Sequence, residues 1–178
     1  MGKRSLGTKE KTKRIAICAA LSALGVVTLY LGSFISVLDM SMAVIASLFT
    51  VIAVIEYGKG APWLVYAVTG ILSLVLLPEK SPALLYICFM GFYPIIKEKL
   101  ESKRKIVSWV FKEVIFNVTL AVMLLLSNLV FSPTAEEPWY WMLIFVILAE
   151  IVFPIYDLAL TRVISFYIYK LRPRFKFR

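Results

Sequence analysis

The sequence predicts an all-α membrane protein, a six-transmembrane-helix bundle with both termini on the cytoplasmic side. Three observations carry that prediction. First, 61% of the 178 residues are hydrophobic and only 17% are charged, against about 45–50% and about 25% in an ordinary soluble domain. Mean hydropathy is +0.85. Second, the apolar residues gather into six runs separated by short breakers. Third, the positive charge is blocked into segments beside alternate ends of those runs, as on the cytoplasmic flanks of membrane helices.

In chain order, residues 1–14 form a basic cytoplasmic leader with Lys3, Arg4, Lys9, Lys11, Lys13 and Arg14. Ile15–Leu38 follows, 24 residues without a charge. At 1.5 Å per residue it reaches about 36 Å, enough for a hydrocarbon core of about 30 Å with some tilt. A secretory signal peptide competes at Ala20-Leu21-Ser22-Ala23, but the apolar stretch runs well past that point, which favours a retained span. Asp39 marks the first turn. Met40–Ile55 is the second run, closed by Glu56-Tyr57-Gly58-Lys59-Gly60, and Ala61–Leu77 is the third, with Pro62 placed for a helix start. Pro78 to Pro82 breaks the chain again. Ala83–Ile96 is a fourth, short run, read as a tilted span or a partly buried re-entrant segment. Lys97–Lys105 is a charged loop. Ile106–Phe131 is the fifth run, Ser132–Pro138 a turn, and Trp139–Tyr169 the sixth. Residues 15–169 thus form the transmembrane domain and 170–178 a basic cytoplasmic tail.

Six spans place both termini on one side. The leader, the Gly58 turn, the Lys97–Lys105 loop and the tail together hold 17 Lys and Arg. The opposite side holds Lys80 against Asp39, Glu79, Glu136 and Glu137. The positive-inside rule therefore puts both termini in the cytoplasm of a multi-pass inner or plasma membrane protein. The composition excludes a disordered, collagen-like or disulfide-stapled chain. The chain has no His, hence neither the commonest metal ligand nor the usual general base near neutral pH. Cys18 and Cys88 lie in apolar runs and read as small buried hydrophobes. No metal site, no resident cofactor and no nucleic-acid partner are expected, and no hydrolase, metalloprotease, P-loop or dinucleotide pattern is present. An enzyme is therefore the least favoured reading.

Four features could carry function. On the first span, Ala16, Ala20 and Ala23 share a face, with Ala19 and Gly25 extending the small surface. Small side chains let membrane helices approach closely, either within the protein or against a partner subunit. On the fifth span, Glu113, Asn117, Ala121, Leu124 and Asn128 follow helical spacing, and their polar groups are expected to point into the bundle. On the sixth, Glu150, Pro154, Asp157 and Thr161 recur at helical spacing. Glu150 falls near the bilayer midplane, where a charge costs about 2.5–3.5 kcal/mol on insertion scales. Pro154 removes the backbone bond to the Glu150 carbonyl, leaving a polar ligand site beside a carboxylate. Asp157 and Glu113 lie deeper, where Arg162 and Lys112 can form structural ion pairs with them. Asn117 matches Glu150 in depth if the fifth and sixth spans are antiparallel neighbours. Finally, Trp139, Tyr140 and Trp141 read as an interfacial belt or as a stacking rim for an incoming ligand, with Tyr30, Phe34 and Asp39 as possible wall residues.

The run Arg14-Ile15-Ala16-Ile17-Cys18-Ala19-Ala20-Leu21-Ser22-Ala23, entering six short spans from a basic leader, resembles the substrate-binding S components of energy-coupling factor (ECF) transporters. The resemblance implies an S-component-like fold that captures a small, vitamin-like nutrient from outside without an ATPase of its own. It implies docking of Ala16, Ala20 and Ala23 onto a transmembrane coupling subunit, with ATP used by paired partner ATPases. It also implies an outward-opening ligand site drawing on Phe34, Asp39, Asn117, Asn128, Trp139 and Glu150. Nickel and cobalt are disfavoured as substrates because both prefer imidazole ligands. Two other readings stay open. One is a small membrane scaffold of a cell-envelope complex, such as the MreD-like subunit of the cell-elongation machinery. The other is a stand-alone carrier using Glu150 or Glu113 as its proton site.

Overall fold

The apolar runs fold as helices, and the helices end where the breakers stand. The computed structural model describes residues 8–58, 60–101, 104–130 and 139–173, and every regular element among them is helical: α1 (Thr8–Gly32), α2 (Asp39–Tyr57), α3 (Ala61–Leu76), α4 (Ser81–Leu85), α5 (Tyr93–Leu100), α6 (Lys105–Val130) and α7 (Trp139–Phe166). Four helical stretches are long and apolar enough to cross a membrane: Thr8–Gly32, Asp39–Tyr57, Lys105–Leu126 and Met142–Lys170. With the apolar composition they make this a membrane protein. The third run is shorter, 16 residues in α3, or about 24 Å at 1.5 Å per residue. Residues 8–14 of the leader are helical and continuous with the first span, so no break separates the two.

The chain divides into two compact units, Met1–Thr119 and Leu120–Arg178. In the first, α1 packs on α2 and α3, and α2 packs on α3, α4 and α5. The buried face of α1 is Cys18, Leu21, Ser22, Gly25, Val26, Leu29 and Gly32, a repeat of three and four residues that keeps one stripe inward. Close approach is built in at Gly25, where an added Cβ would stand 2.9 Å from the Thr69 methyl of α3. Gly58 ends α2 with a left-handed φ of 58°, a conformation that costs glycine little. Arg14 reaches across from α1 and donates to the Tyr57 carbonyl at 3.1 Å, covering one of the carbonyls that a helix end leaves open.

The fourth run is a broken helix. α4 passes into a single π-helical turn, Tyr86–Met90, and α5 starts again at Tyr93. Pro94 explains the break, because its ring clashes with the carbonyl four residues back and it has no N–H to give. The Gly91 N–H bonds to the Tyr86 carbonyl at 2.7 Å, the wider spacing of a π turn. The Ile87 carbonyl instead accepts the Tyr66 hydroxyl of α3 at 2.8 Å. Gly91 fits where no Cβ could, 2.7 Å from both the Tyr66 and Tyr86 rings. Phe89 packs against Tyr93 and Phe116, with ring centroids 4.9 Å and 5.3 Å away.

Within α6, Ser108, Lys112, Phe116 and Thr119 are buried along one face. In the second unit, α7 runs through Pro154 without interruption and ends in a second π turn, Tyr167–Leu171. Its buried residues, Phe153, Tyr156, Asp157, Leu160 and Tyr167, again share one face.

Candidate functional site

The alanine ladder and the close-packing face of α1 are different faces. Ala16, Ala19, Ala20 and Ala23 are exposed, and Val27 continues the stripe, while Gly25 is buried against Thr69 on the other side. Gly25 therefore does not extend the ladder, as the spacing suggested. It belongs to the face that holds the first unit together. Along about two helical turns, α1 presents methyl groups that the described residues leave uncovered.

The centre of the first unit is a set of buried hydroxyls that hydropathy reading missed. Thr50 of α2 and the Tyr86 phenol meet at 2.8 Å, and Thr69 of α3 bonds the same phenol. Thr69 also lies 3.5 Å from the Ser22 carbonyl of α1. Ser47 and Ser73 are as deeply buried. Ser22, Thr50, Thr69 and Tyr86 come from four different segments and link all four, as buried hydroxyls do between membrane helices.

Near the outer turn, Asp39 opens α2, where the helix dipole favours a carboxylate. Its side chain is buried, and its Oδ1 has no hydrogen-bond partner among the described residues. Phe34 stands in the preceding turn, 63% exposed, edge-on to Tyr30 at 5.1 Å between centroids. These two wall residues are thus brought to one end of the unit.

The stripe on α6 does not point inward at Asn117. That side chain is exposed and donates back to the Glu113 carbonyl at 3.1 Å, so its own helix supplies a partner and no neighbouring helix is required. Glu113 is half-buried. Asn128 and Trp139 fall among side chains outside the described residues. Glu150, in α7, is half-buried, and Arg162 is exposed. Asp157 is 4% exposed, and its carbonyl accepts the Thr161 hydroxyl at 2.8 Å. Asn117 belongs to the first unit and Glu150 to the second.

Lys112 pairs with Glu101 of the α5–α6 turn, at 3.4 Å. The same carboxylate oxygen meets Lys97 at 3.0 Å. Lys97 read as a loop charge in the sequence; it is in fact one turn from the end of α5 and 1% exposed. Its spacing of four residues to Glu101 is the signal that could have found it.

Beside this cluster lies a cleft of about 410 Å³ between the first turn of α3 and the last turn of α5. Pro62 and Ile95 form its apolar floor, Trp63 its wall, and Glu98 and Lys99 its rim. The described residues hold no group of three or more His, Cys, Asp or Glu placed to bind a metal ion. In comparisons with known proteins, no family model, no curated protein and no solved structure matches the chain.

Proposed function

We propose that this protein is the membrane-embedded, small-molecule-binding subunit of an importer of the energy-coupling factor type, docking through α1 onto a transmembrane partner. The observation that carries the reading is the uncovered alanine face, Ala16, Ala20 and Ala23. A methyl-lined helix face lets a partner helix approach at short range, and dispersion along the contact supplies attraction where lipid offers no hydrophobic drive. The opposite face of α1 is already committed to α2 and α3, so the two roles do not compete.

In this reading the ligand enters from outside. Phe34 supplies an exposed ring, and the Asp39 Oδ1 supplies an acceptor with an open valence. Glu150 offers a second polar contact beside the carbonyl that Pro154 leaves without its helical donor. No catalysis is assigned to this chain, and ATP is consumed by the partner ATPases. The cytoplasmic placement of both termini rests on the charge asymmetry of the connecting segments.

The test is affinity purification from native membranes in mild detergent, comparing wild type with Ala16→Leu/Ala20→Leu. Both positions are exposed, so the double variant keeps its melting temperature. Wild type is expected to bring down two ABC-type ATPases with a larger membrane subunit, and the variant to lose them while still retaining the co-purified small molecule. Equal recovery by the variant refutes the docking face. Recovery of cell-wall synthesis proteins without a small molecule replaces the importer by a scaffold.

A further inference from the structure

The cleft between α3 and α5 has a composition that the importer reading does not use, and the following inference stands independently of that reading. Its floor is Pro62 and Ile95, and its wall is the Trp63 indole, 41% exposed. Its rim carries one carboxylate and one ammonium on successive residues, Glu98 and Lys99. The cleft lies at the Gly58–Gly60 end of α3, the end that the positive-inside rule places in the cytoplasm. Tryptophan at that depth belongs to the headgroup layer, with its ring against the acyl boundary and its N–H toward polar groups.

The surface leading away from the cleft is as informative as the cleft. Leu64, Val68, Ile71 and Val75 are all exposed on α3, and their spacing of four, three and four residues makes one continuous stripe. From Leu64 to Val75 the stripe runs about 16 Å at 1.5 Å per residue, close to half of a hydrocarbon core of about 30 Å. A polar cleft at the interface thus opens onto an apolar track one leaflet long.

We infer that this cleft is a binding site for an aminophospholipid of the cytoplasmic leaflet, a phosphatidylethanolamine-type lipid. Lys99 and the Trp63 N–H take the phosphate, Glu98 takes the primary ammonium, and an acyl chain lies along Leu64, Val68, Ile71 and Val75. The zwitterionic rim selects the headgroup. A basic rim alone would favour any anionic lipid, whereas Glu98 repels a headgroup with a second negative charge and rewards one that donates N–H bonds. A choline headgroup is cationic but has no N–H to donate, so it gains only the Coulombic part of the Glu98 contact.

The experiment is native mass spectrometry of the full chain released from detergent containing equimolar dioleoyl phosphatidylethanolamine, phosphatidylcholine and phosphatidylglycerol. Ethanolamine lipid adducts are expected to exceed choline lipid adducts by about two- to fivefold, the range that one solvent-exposed ion pair supports. Glu98→Gln is expected to level the two. Lys99→Met is expected to lower the retention of all three lipids, and Trp63→Leu to do the same. Soluble glycerophosphoethanolamine, which lacks the acyl chains, is expected not to displace the lipid at equal concentration. Equal retention of ethanolamine and choline lipids by wild type overturns the inference, as does an unchanged preference in Glu98→Gln. Displacement by the soluble headgroup also overturns it, since the occupant would then be a water-soluble phosphate ester. All three variants change exposed residues, and a melting curve for each confirms that the fold is intact.

Discussion

Replacing Tyr86 by Phe tests whether the buried hydroxyls hold the first unit together. Tyr86, Thr50 and Thr69 are each 0% exposed, and the Thr50–Tyr86 contact is 2.8 Å. Tyr86→Phe keeps the ring and its packing and removes one oxygen, leaving two threonine hydroxyls to find new partners. Thr50 can turn back to a carbonyl of its own helix, as threonines in membrane helices do, so the loss is partial. A net hydrogen bond is worth about 0.5–1.5 kcal/mol. Interhelical pairs in membrane proteins average about 0.6 kcal/mol, with about 1.7 at the upper end. Tyr86→Phe should therefore cost about 1 kcal/mol. A double-mutant cycle with Thr50→Val should return a coupling between about 0.6 and 1.7 kcal/mol, because three buried hydroxyls share one phenol. The assay is reversible unfolding in mixed detergent micelles, followed by circular dichroism for wild type, both single variants and the double. A coupling below about 0.2 kcal/mol would refute the argument. The hydroxyls would then be satisfied within their own helices, and the four segments would be held by apolar packing alone.

Further outcomes follow from other positions. Gly91→Ala places a Cβ 2.7 Å from two tyrosine rings and is expected to cost about 1–3 kcal/mol by overpacking, read in the same unfolding assay. Gly58→Ala has open space but a φ of 58°, so it is expected to cost about 1 kcal/mol from backbone strain alone. Gly60→Ala, with open space and a negative φ, should be nearly neutral. Glu101→Gln removes a carboxylate that meets both Lys97 and Lys112, yet its own side chain is 44% exposed. The loss is expected to stay below about 1 kcal/mol and to shrink further at high salt. For topology, Val37→Cys is expected to react with a membrane-impermeant maleimide in intact cells, and Lys99→Cys only after permeabilisation, both in a background lacking Cys18 and Cys88.

Helix boundaries were largely legible because their causes are local. Gly58, Pro62, Pro78 and Pro82 each punctuate the chain through their own backbone chemistry, and the helices stop or start beside them. The interruption of the fourth run was less legible, since the short apolar stretch fits either a tilted span or a broken one until the clash behind Pro94 is considered. The hydroxyl centre was not legible at all. Ser22, Thr50 and Thr69 sit in apolar runs, where a hydroxyl can always bond its own helix, and only the arrangement of four segments shows that it bonds across. The alanine ladder was found by spacing, but spacing does not say whether a face is covered. Lys97 was misread for the same reason, because a charge at the end of an apolar run looks solvated until the helices around it are known.

The π turn at Tyr86–Met90 has a bearing on how this chain tolerates change in length. An α-helix advances about 100° per residue, so the residue accommodated in a widened turn sets the phase of everything after it. Tyr93 and Lys97 face inward because that count is what it is. Deleting any one residue between 86 and 90 would let the turn relax to ordinary α geometry with no local clash, yet it would swing α5 by roughly a quarter of a revolution. Substitutions there should be judged by side-chain fit, whereas single-residue deletions act as a rotation of the whole downstream helix.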